Sequence, residues 1–122
     1  SGLNLNSMAS IRILFDKREH NESGSGNGGY DAFMSAIKKI LKKHHLQCPE
    51  LLDYQIRIPR GGQTDALTES IITWNMNNKR VQTVGIDPDQ VMAAVNATLK
   101  MLNLHLMQLD HISDSVAVVT AA

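Results

Sequence analysis

The chain has 122 residues, of which 43% are hydrophobic, and its 12 basic residues balance its 12 acidic ones. This length suits one domain with one core, and the balanced charge gives no overall field that would attract nucleic acid or an anionic membrane. No apolar run reaches the roughly 18 residues of a membrane span, and the single cysteine, Cys48, has no partner for an internal disulfide. These features predict a cytoplasmic protein.

The first half of the chain reads as strand, weak strand and helix. Residues 1–10 are polar and patternless, and we set them aside as a linker or an expression remnant. Alternation from Ile11 to Phe15 predicts a strand, and the polar, glycine-rich stretch 17–27 leaves room for a short second strand near residues 22–24. From Tyr30 to about Lys43 apolar residues recur every three or four positions, which predicts a helix.

The second half begins with a third strand and a hairpin. Apolar residues alternate from Leu52 to Ile58, and the stretch of Pro59, Gly61 and Gly62 predicts its end. Residues 66–76 and 79–86 are then predicted to form a β-hairpin, because Asn77 and Asn78 between them are residues that favour a tight turn.

A second helix is expected after the hairpin. Pro88 suits a first turn and Asp87 can cap it, so the helix starts near residue 88 and runs at least to Leu102, with continuation to Leu109 open. Residues 110–122 are predicted to form a loose tail. We therefore place the domain at residues 11–109.

One motif occurs twice in the chain. Asp-Ala-Phe-Met-Ser-Ala-Ile at residues 31–37 is similar to Asp-Gln-Val-Met-Ala-Ala-Val at residues 89–95, and a glycine precedes each, Gly26 and Gly85. Two copies are too few for a solenoid. The sequence therefore predicts an α+β domain of two units related by a pseudo-twofold axis, with a mainly antiparallel sheet and two helices whose N-termini converge.

Apolar residues on the uncovered face of the predicted sheet point to association. Leu14, Ile71 and Trp74 are expected to project there, away from the helices. An open sheet with that much apolar surface usually finds a partner subunit, so we predict a homodimer.

Several kinds of site are not expected. Gly24 to Gly29 fits the spacing G-x-G-x-x-G, but the charged stretch before it is unlike the buried strand of a dinucleotide site, which favours a flexible turn. Five histidines share no ligand spacing with each other or with Cys48, so no metal is expected: His20, His44, His45, His105 and His111. No catalytic signature is present, and we predict no cofactor and no autonomous enzyme.

The two predicted helix N-termini are candidates for binding a small carboxylate. Backbone N–H groups at Tyr30 to Ala32 and at Asp89-Gln90 make each end a potential anion site. The alternative is that Asp31 and Asp89 are first-turn acids that stabilise their own helices. Together with an aliphatic strand, such ends suit a branched-chain amino acid.

Four stretches carry a family resemblance: residues 28–33, 51–54, 85–91 and 101–103. In this order they resemble the C-terminal regulatory domain of the 2-isopropylmalate synthase and citramalate synthase family, over residues 10–105. The resemblance implies two related βββα units that dimerise and bind the end product, leucine or isoleucine, between the units to inhibit a distant catalytic barrel. That barrel would belong to the parent chain.

The resemblance also implies which residues contact the effector. Four would place its polar groups and three would form an aliphatic wall: Tyr30, Asp31, Pro88 and Gln90, then Leu51, Tyr54 and Ile58. Ordinary core packing is the alternative for the three wall residues. The bulk of Leu51 and Ile58 slightly favours isoleucine over leucine.

Two other functions stay open at this point. A pure assembly module would use the sheet only to dimerise, without a ligand. A small RNA-binding domain would use the glycine-rich loop and the basic helix face, but Trp74 is its single candidate for base stacking and the chain has no net positive charge.

Overall fold

A computed structural model of the chain describes residues 6–15, 17–58, 67–108 and 117–121. These residues form two helices and six strands: β1 (Ser7–Phe15), β2 (Arg18–Gly26), α1 (Gly29–Lys43), β3 (Glu50–Arg57), β4 (Thr68–Met76), β5 (Lys79–Asp87), α2 (Gln90–Gln108) and β6 (Ala117–Ala121). They divide into two compact units, one of residues up to 48 together with β6, the other beginning at residue 49.

The first unit is a three-stranded antiparallel sheet with one helix against it. Its strand order is β2-β1-β6, and α1 packs on β2 and β1. Alternate residues of β1 are buried beneath the helix: Ala9, Ile11, Ile13 and Phe15. Six residues of α1 are buried at helical spacing: Ala32, Phe33, Ala36, Ile37, Ile40 and Leu41. The core of this unit therefore lies between the sheet and α1.

The second unit has the same construction. Its strand order is β3-β4-β5, and α2 packs on β5 and β4. The buried residues of β4 that share the helix-facing side are Ser70, Ile72, Trp74 and Met76. Both predicted helices and the predicted hairpin are present, and the α+β class is confirmed.

The two units repeat each other with a constant spacing. β1 begins at Ser7 and β4 at Thr68, and the later bounds of β1, β2 and the start of α1 also recur 61 residues further along the chain. Under this spacing Gly24 of β2 corresponds to Gly85 of β5. The predicted pairing of Gly26 with Gly85, and of Asp31 with Asp89, is therefore wrong by two and three residues.

The third strands of the two sheets, β6 and β3, also correspond to each other. β3 pairs with β4, and β6 pairs with β1, in antiparallel register with a bulge at corresponding points: Thr73 and Trp74 in one central strand, Arg12 and Ile13 in the other. Each unit thus holds three strands and a helix, but the first takes its outer strand from the C-terminal part of the chain. The pseudo-twofold relation between the units stays a prediction.

Some elements differ from the sequence pattern. β1 begins at Ser7, four residues earlier than the alternation indicates, and the stretch predicted as a loose tail contains β6. β2 is nine residues long, and its helix-facing side carries His20, Glu22 and the buried Gly24, whereas the side chains between them face outward. The predicted stop after Ile58, at Pro59, Gly61 and Gly62, lies outside the described residues, as do His111 and the continuation to Leu109.

Trp74 was expected on the outer face of the sheet, and this prediction is wrong. Its side chain faces α2 and is fully buried, and the indole N–H donates a hydrogen bond of 2.9 Å to the Thr83 hydroxyl. Leu14 and Ile71 do alternate to the outer side of their sheets, but only Leu14 is exposed there, by 39%, whereas Ile71 is buried.

Candidate functional site

The entrance of α1 is built from glycine. Gly28 is the N-cap residue, in extended backbone, and it supplies no side-chain cap. Its carbonyl accepts the first helical hydrogen bond, from the Ala32 N–H at 3.0 Å. Gly26 is needed because a Cβ there would lie 2.6 Å from the Cβ of Asp31. The predicted site residues Tyr30 and Asp31 both lie in this first turn.

The entrance of α2 is built from carboxylates instead. The Asp89 side chain accepts a hydrogen bond from the Met92 N–H at 3.0 Å, so Asp89 is the cap and the prediction of Asp87 is wrong. Asp87 accepts from the Asp89 N–H at 2.9 Å, which fixes the bend that contains Pro88. Gln90 is the first residue of the helix.

The three predicted wall residues lie on β3 or at its end. Leu51 is directly opposite Trp74 and Tyr54 is opposite Ile72, so both share the side of the sheet that carries α2. The helix packs on β5 and β4, however, and Leu51 is 38% exposed while Ile58 is 66% exposed. Core packing, the alternative for the three wall residues, therefore fits the half-buried Tyr54 better than Leu51 and Ile58.

The fold brings one end of this wall towards the α2 entrance. Arg57 of β3 lies opposite Glu69, and Glu69 in turn lies opposite Ile86 of β5. Arg57 and Ile86 are thus two strand spacings, about 10 Å, apart, and Ile58 and Pro88 follow soon after them. Leu51 lies near the other end of β3.

Two features of the described residues were not expected from the sequence. The Ser70 hydroxyl is fully buried and has no hydrogen-bond partner among them. The rings of His20 and His44 lie 4.9 Å apart, and Phe15 contacts both, at 5.6 and 4.5 Å. The alternation of β4 could have predicted that Ser70 is buried. The cluster of three rings joins residues that are far apart in the sequence, so no local sequence pattern predicts it.

The glycine-rich motif has a packing role. Gly24 and Gly26 lie in β2 against α1, where a Cβ at Gly24 would come within 2.6 Å of the Ala36 backbone nitrogen. Gly24 to Gly26 thus end a strand, and the turn predicted for the whole stretch is limited to the bend at residues 27–28 before α1. Within the described ranges no group of three or more histidine, cysteine or carboxylate side chains is placed to hold a metal ion, and no helix there is long and apolar enough to cross a membrane.

In each unit a lysine of the helix donates a hydrogen bond to the adjacent strand. Lys39 donates a hydrogen bond of 2.8 Å to the Ser23 carbonyl, and Lys100, 61 residues later, donates one of 2.6 Å to the Val84 carbonyl. In the first unit Lys43 also pairs with Glu22 at 2.8 Å, and this hydrogen bond lowers the pKa of the Glu22 carboxyl. Burial raises the pKa of the Cys48 thiol, which makes it a poor nucleophile.

The sequence of the chain is similar to that of a known family of regulatory α+β domains. Residues 1–106 match the family model of the LeuA allosteric (dimerisation) domain, and the chain belongs to this family. It is 33% identical over 104 residues to a protein of Archaeoglobus fulgidus assigned by name to the (R)-citramalate synthases, and 31% identical over 112 residues to the 2-isopropylmalate synthase of Aquifex aeolicus.

These matches cover most of this chain but little of the relatives. They span 85% and 92% of the chain, and 21% of each of the two relatives. The chain thus spans about a fifth of the length of the proteins it matches. The resemblance found in the sequence is confirmed, and the matched stretch is the allosteric domain rather than the catalytic part.

Proposed function

We propose that the chain binds a branched-chain amino acid and thereby inhibits a citramalate or 2-isopropylmalate synthase of which it forms the regulatory domain. Isoleucine is favoured over leucine. The observation that supports this best is the partly exposed apolar row of Leu51, Tyr54 and Ile58, whose Ile58 end lies at the end of the sheet where α2 begins. An amino acid has the matching combination of an aliphatic side chain and charged ends.

The polar contacts are proposed at the two helix entrances. At the α1 entrance, the backbone of Tyr30 and Asp31 lies in a first turn without a side-chain cap, and such a turn suits a carboxylate. At the α2 entrance, Pro88 and Gln90 flank the carboxylate of Asp89, which suits an ammonium group.

Inhibition follows from differential affinity. An effector that binds one arrangement of the parent enzyme more tightly shifts the population towards that arrangement. A coupling free energy of about 1 to 3 kcal/mol is enough for strong feedback. We propose that the domain acts as a homodimer, in the cytoplasm, and that the catalytic barrel of the parent chain is its partner in this shift.

Isothermal titration of the chain with isoleucine, leucine, valine and glycine tests the proposal. Isoleucine and leucine are expected to bind at least tenfold more tightly than glycine, because glycine lacks the aliphatic group. Leu51→Ala is expected to weaken their binding. Leu104→Ala is the matched control, since Leu104 is 43% exposed on α2 and the proposal gives it no contact. Equal binding of all four amino acids contradicts the proposal.

The other candidate is a pure assembly module, for which the family description supplies the support, since it names dimerisation beside allostery. Analytical ultracentrifugation with and without isoleucine separates the two functions. A dimer whose mass, shape and unfolding temperature do not respond to any branched-chain amino acid favours the assembly module.

A further inference from the structure

We propose that Ile56 is a further effector contact and that it sets the preference among aliphatic amino acids. This inference rests on the proposed function and adds a residue to its site. Ile56 lies between Tyr54 and Ile58 on β3, and its own side chain is 44% exposed.

Strand geometry places Ile56 in the row of wall residues. Ile56 is directly opposite Ser70, and Tyr54 is directly opposite Ile72. Ser70 and Ile72 both face α2, so Ile56 and Tyr54 share that side of the sheet. Residues two apart on a strand are about 6.5 to 7 Å apart. A ligand that contacts either Tyr54 or Ile58 on this side is therefore within one side-chain spacing of Ile56.

The surroundings of Ile56 leave room for such a ligand. The helix packs on β5 and β4, and β3 is the outer strand of its sheet. The row formed by Tyr54, Ile56 and Ile58 is one side chain wide and about 13 Å long. A stable protein interface needs about 800 Å² from each partner. The row is far smaller than that, so by itself it suits one small molecule rather than a second copy of the chain.

Ile56 is suited to discrimination because its shape is fixed. A β-branched side chain has few rotamers on a strand, so the surface it presents does not readily adapt to a different ligand. One methylene group in an apolar pocket changes selectivity by about 10- to 200-fold. Changing the volume at Ile56 is therefore expected to alter the ratio of affinities for ligands of different length.

The test is isothermal titration of the wild type, Ile56→Ala, Ile56→Val and Ile86→Ala with isoleucine, leucine and valine. Ile86 is the matched control: it has the same side chain, is 48% exposed, and lies opposite Glu69 on the outer side of the sheet. We expect Ile56→Ala to weaken isoleucine binding about tenfold or more and to change the isoleucine-to-valine ratio. Ile56→Val should give an intermediate ratio, and Ile86→Ala should bind as the wild type does.

The failures are distinguishable. If the wild type binds but Ile56→Ala and Ile56→Val keep its affinities and ratios, the inference is overturned and the proposed function stands. An equal loss for all three ligands also overturns it, because Ile56 then does not set the preference among them. Loss of dimer on sedimentation, with unchanged ratios, assigns the row to a second copy instead. If the wild type binds none of the three, the proposed function falls and the inference falls with it.

Discussion

Gly24 and Gly85 hold equivalent positions in the two units, and each allows the backbone of a helix to lie against a strand. A Cβ at Gly24 would meet the Ala32 carbonyl oxygen at 2.5 Å, and one at Gly85 would overlap the Ala93 carbonyl oxygen and the Ala97 nitrogen. Ala32 and Ala93 are themselves 61 residues apart. The close contact between strand and helix is therefore a repeated part of the fold.

Gly85→Ala is expected to lower the free energy of unfolding by at least about 1 to 3 kcal/mol, because the added methyl group must push α2 away from β5. Denaturant unfolding followed by circular dichroism measures this. Gly28→Ala is the control, since a Cβ there meets nothing within 4 Å and the backbone is extended, with φ near −157°. Equal stability of the Gly85 and Gly28 variants would contradict the close contact.

Ser70→Ala is expected to raise the free energy of unfolding by about 1 kcal/mol. The Ser70 hydroxyl is fully buried without a hydrogen-bond partner among the described residues, which is unfavourable. The equivalent residue of the first unit, Ala9, has no hydroxyl and is also buried. The reciprocal change, Ala9→Ser, should therefore destabilise the chain. Urea unfolding of both variants measures these changes in the free energy of unfolding. A loss of stability in Ser70→Ala would mean that the Ser70 hydroxyl has a hydrogen-bond partner in the folded protein.

Thr83→Val is expected to cost about 1 to 3 kcal/mol, because it leaves the indole N–H of the fully buried Trp74 without its acceptor. The change conserves shape, so packing stays similar. A double-mutant cycle with Trp74→Phe isolates the hydrogen bond from the loss of ring volume. A coupling free energy near zero would show that this hydrogen bond adds nothing to stability.

The sequence was sufficient where local chemistry decides the structure. Asn77 and Asn78 both adopt positive φ, 54° and 65°, which is the turn chemistry that predicted the hairpin. The register of the repeat could not be found in this way. A shift of three residues is close to one helical turn of 3.6 residues, so the apolar pattern of α1 matches α2 almost equally well in the wrong register.

In the strands and the candidate site too, local features could be predicted from the sequence and long-range ones could not. β6 was missed because its pairing with β1 joins distant parts of the chain and leaves no periodic signal of its own. The alternation of β3 predicted a strand correctly, but not that α2 would leave its aliphatic side uncovered at Leu51 and Ile58. Ile56 has the same alternation as Tyr54, and the exposure of this row, on which our proposal of an effector contact depends, has no signal in the sequence.

The ion pair of Glu22 and Lys43 predicts a pH dependence of stability. The hydrogen bond from Lys43 lowers the pKa of the Glu22 carboxyl below its ordinary value of 4.5. A carboxyl whose pKa is lower in the folded state stabilises the fold fully above the unfolded pKa, and this contribution is lost as the pH falls through the folded pKa. Thermal unfolding of the wild type should therefore shift to lower temperature as the pH falls below about 4.5.

Glu22→Gln should remove part of that shift, since glutamine does not titrate, and its unfolding temperature at pH 7 should lie below that of the wild type. Glu19→Gln is the control, because Glu19 is 3.7 Å from Arg12 and both side chains are about half exposed, where an ion pair contributes little. Added salt should reduce the difference between Glu22→Gln and the wild type at pH 7, because it screens exposed charges. Identical acid shifts in the wild type and Glu22→Gln would show that the pair of Glu22 and Lys43 does not hold α1 against β2.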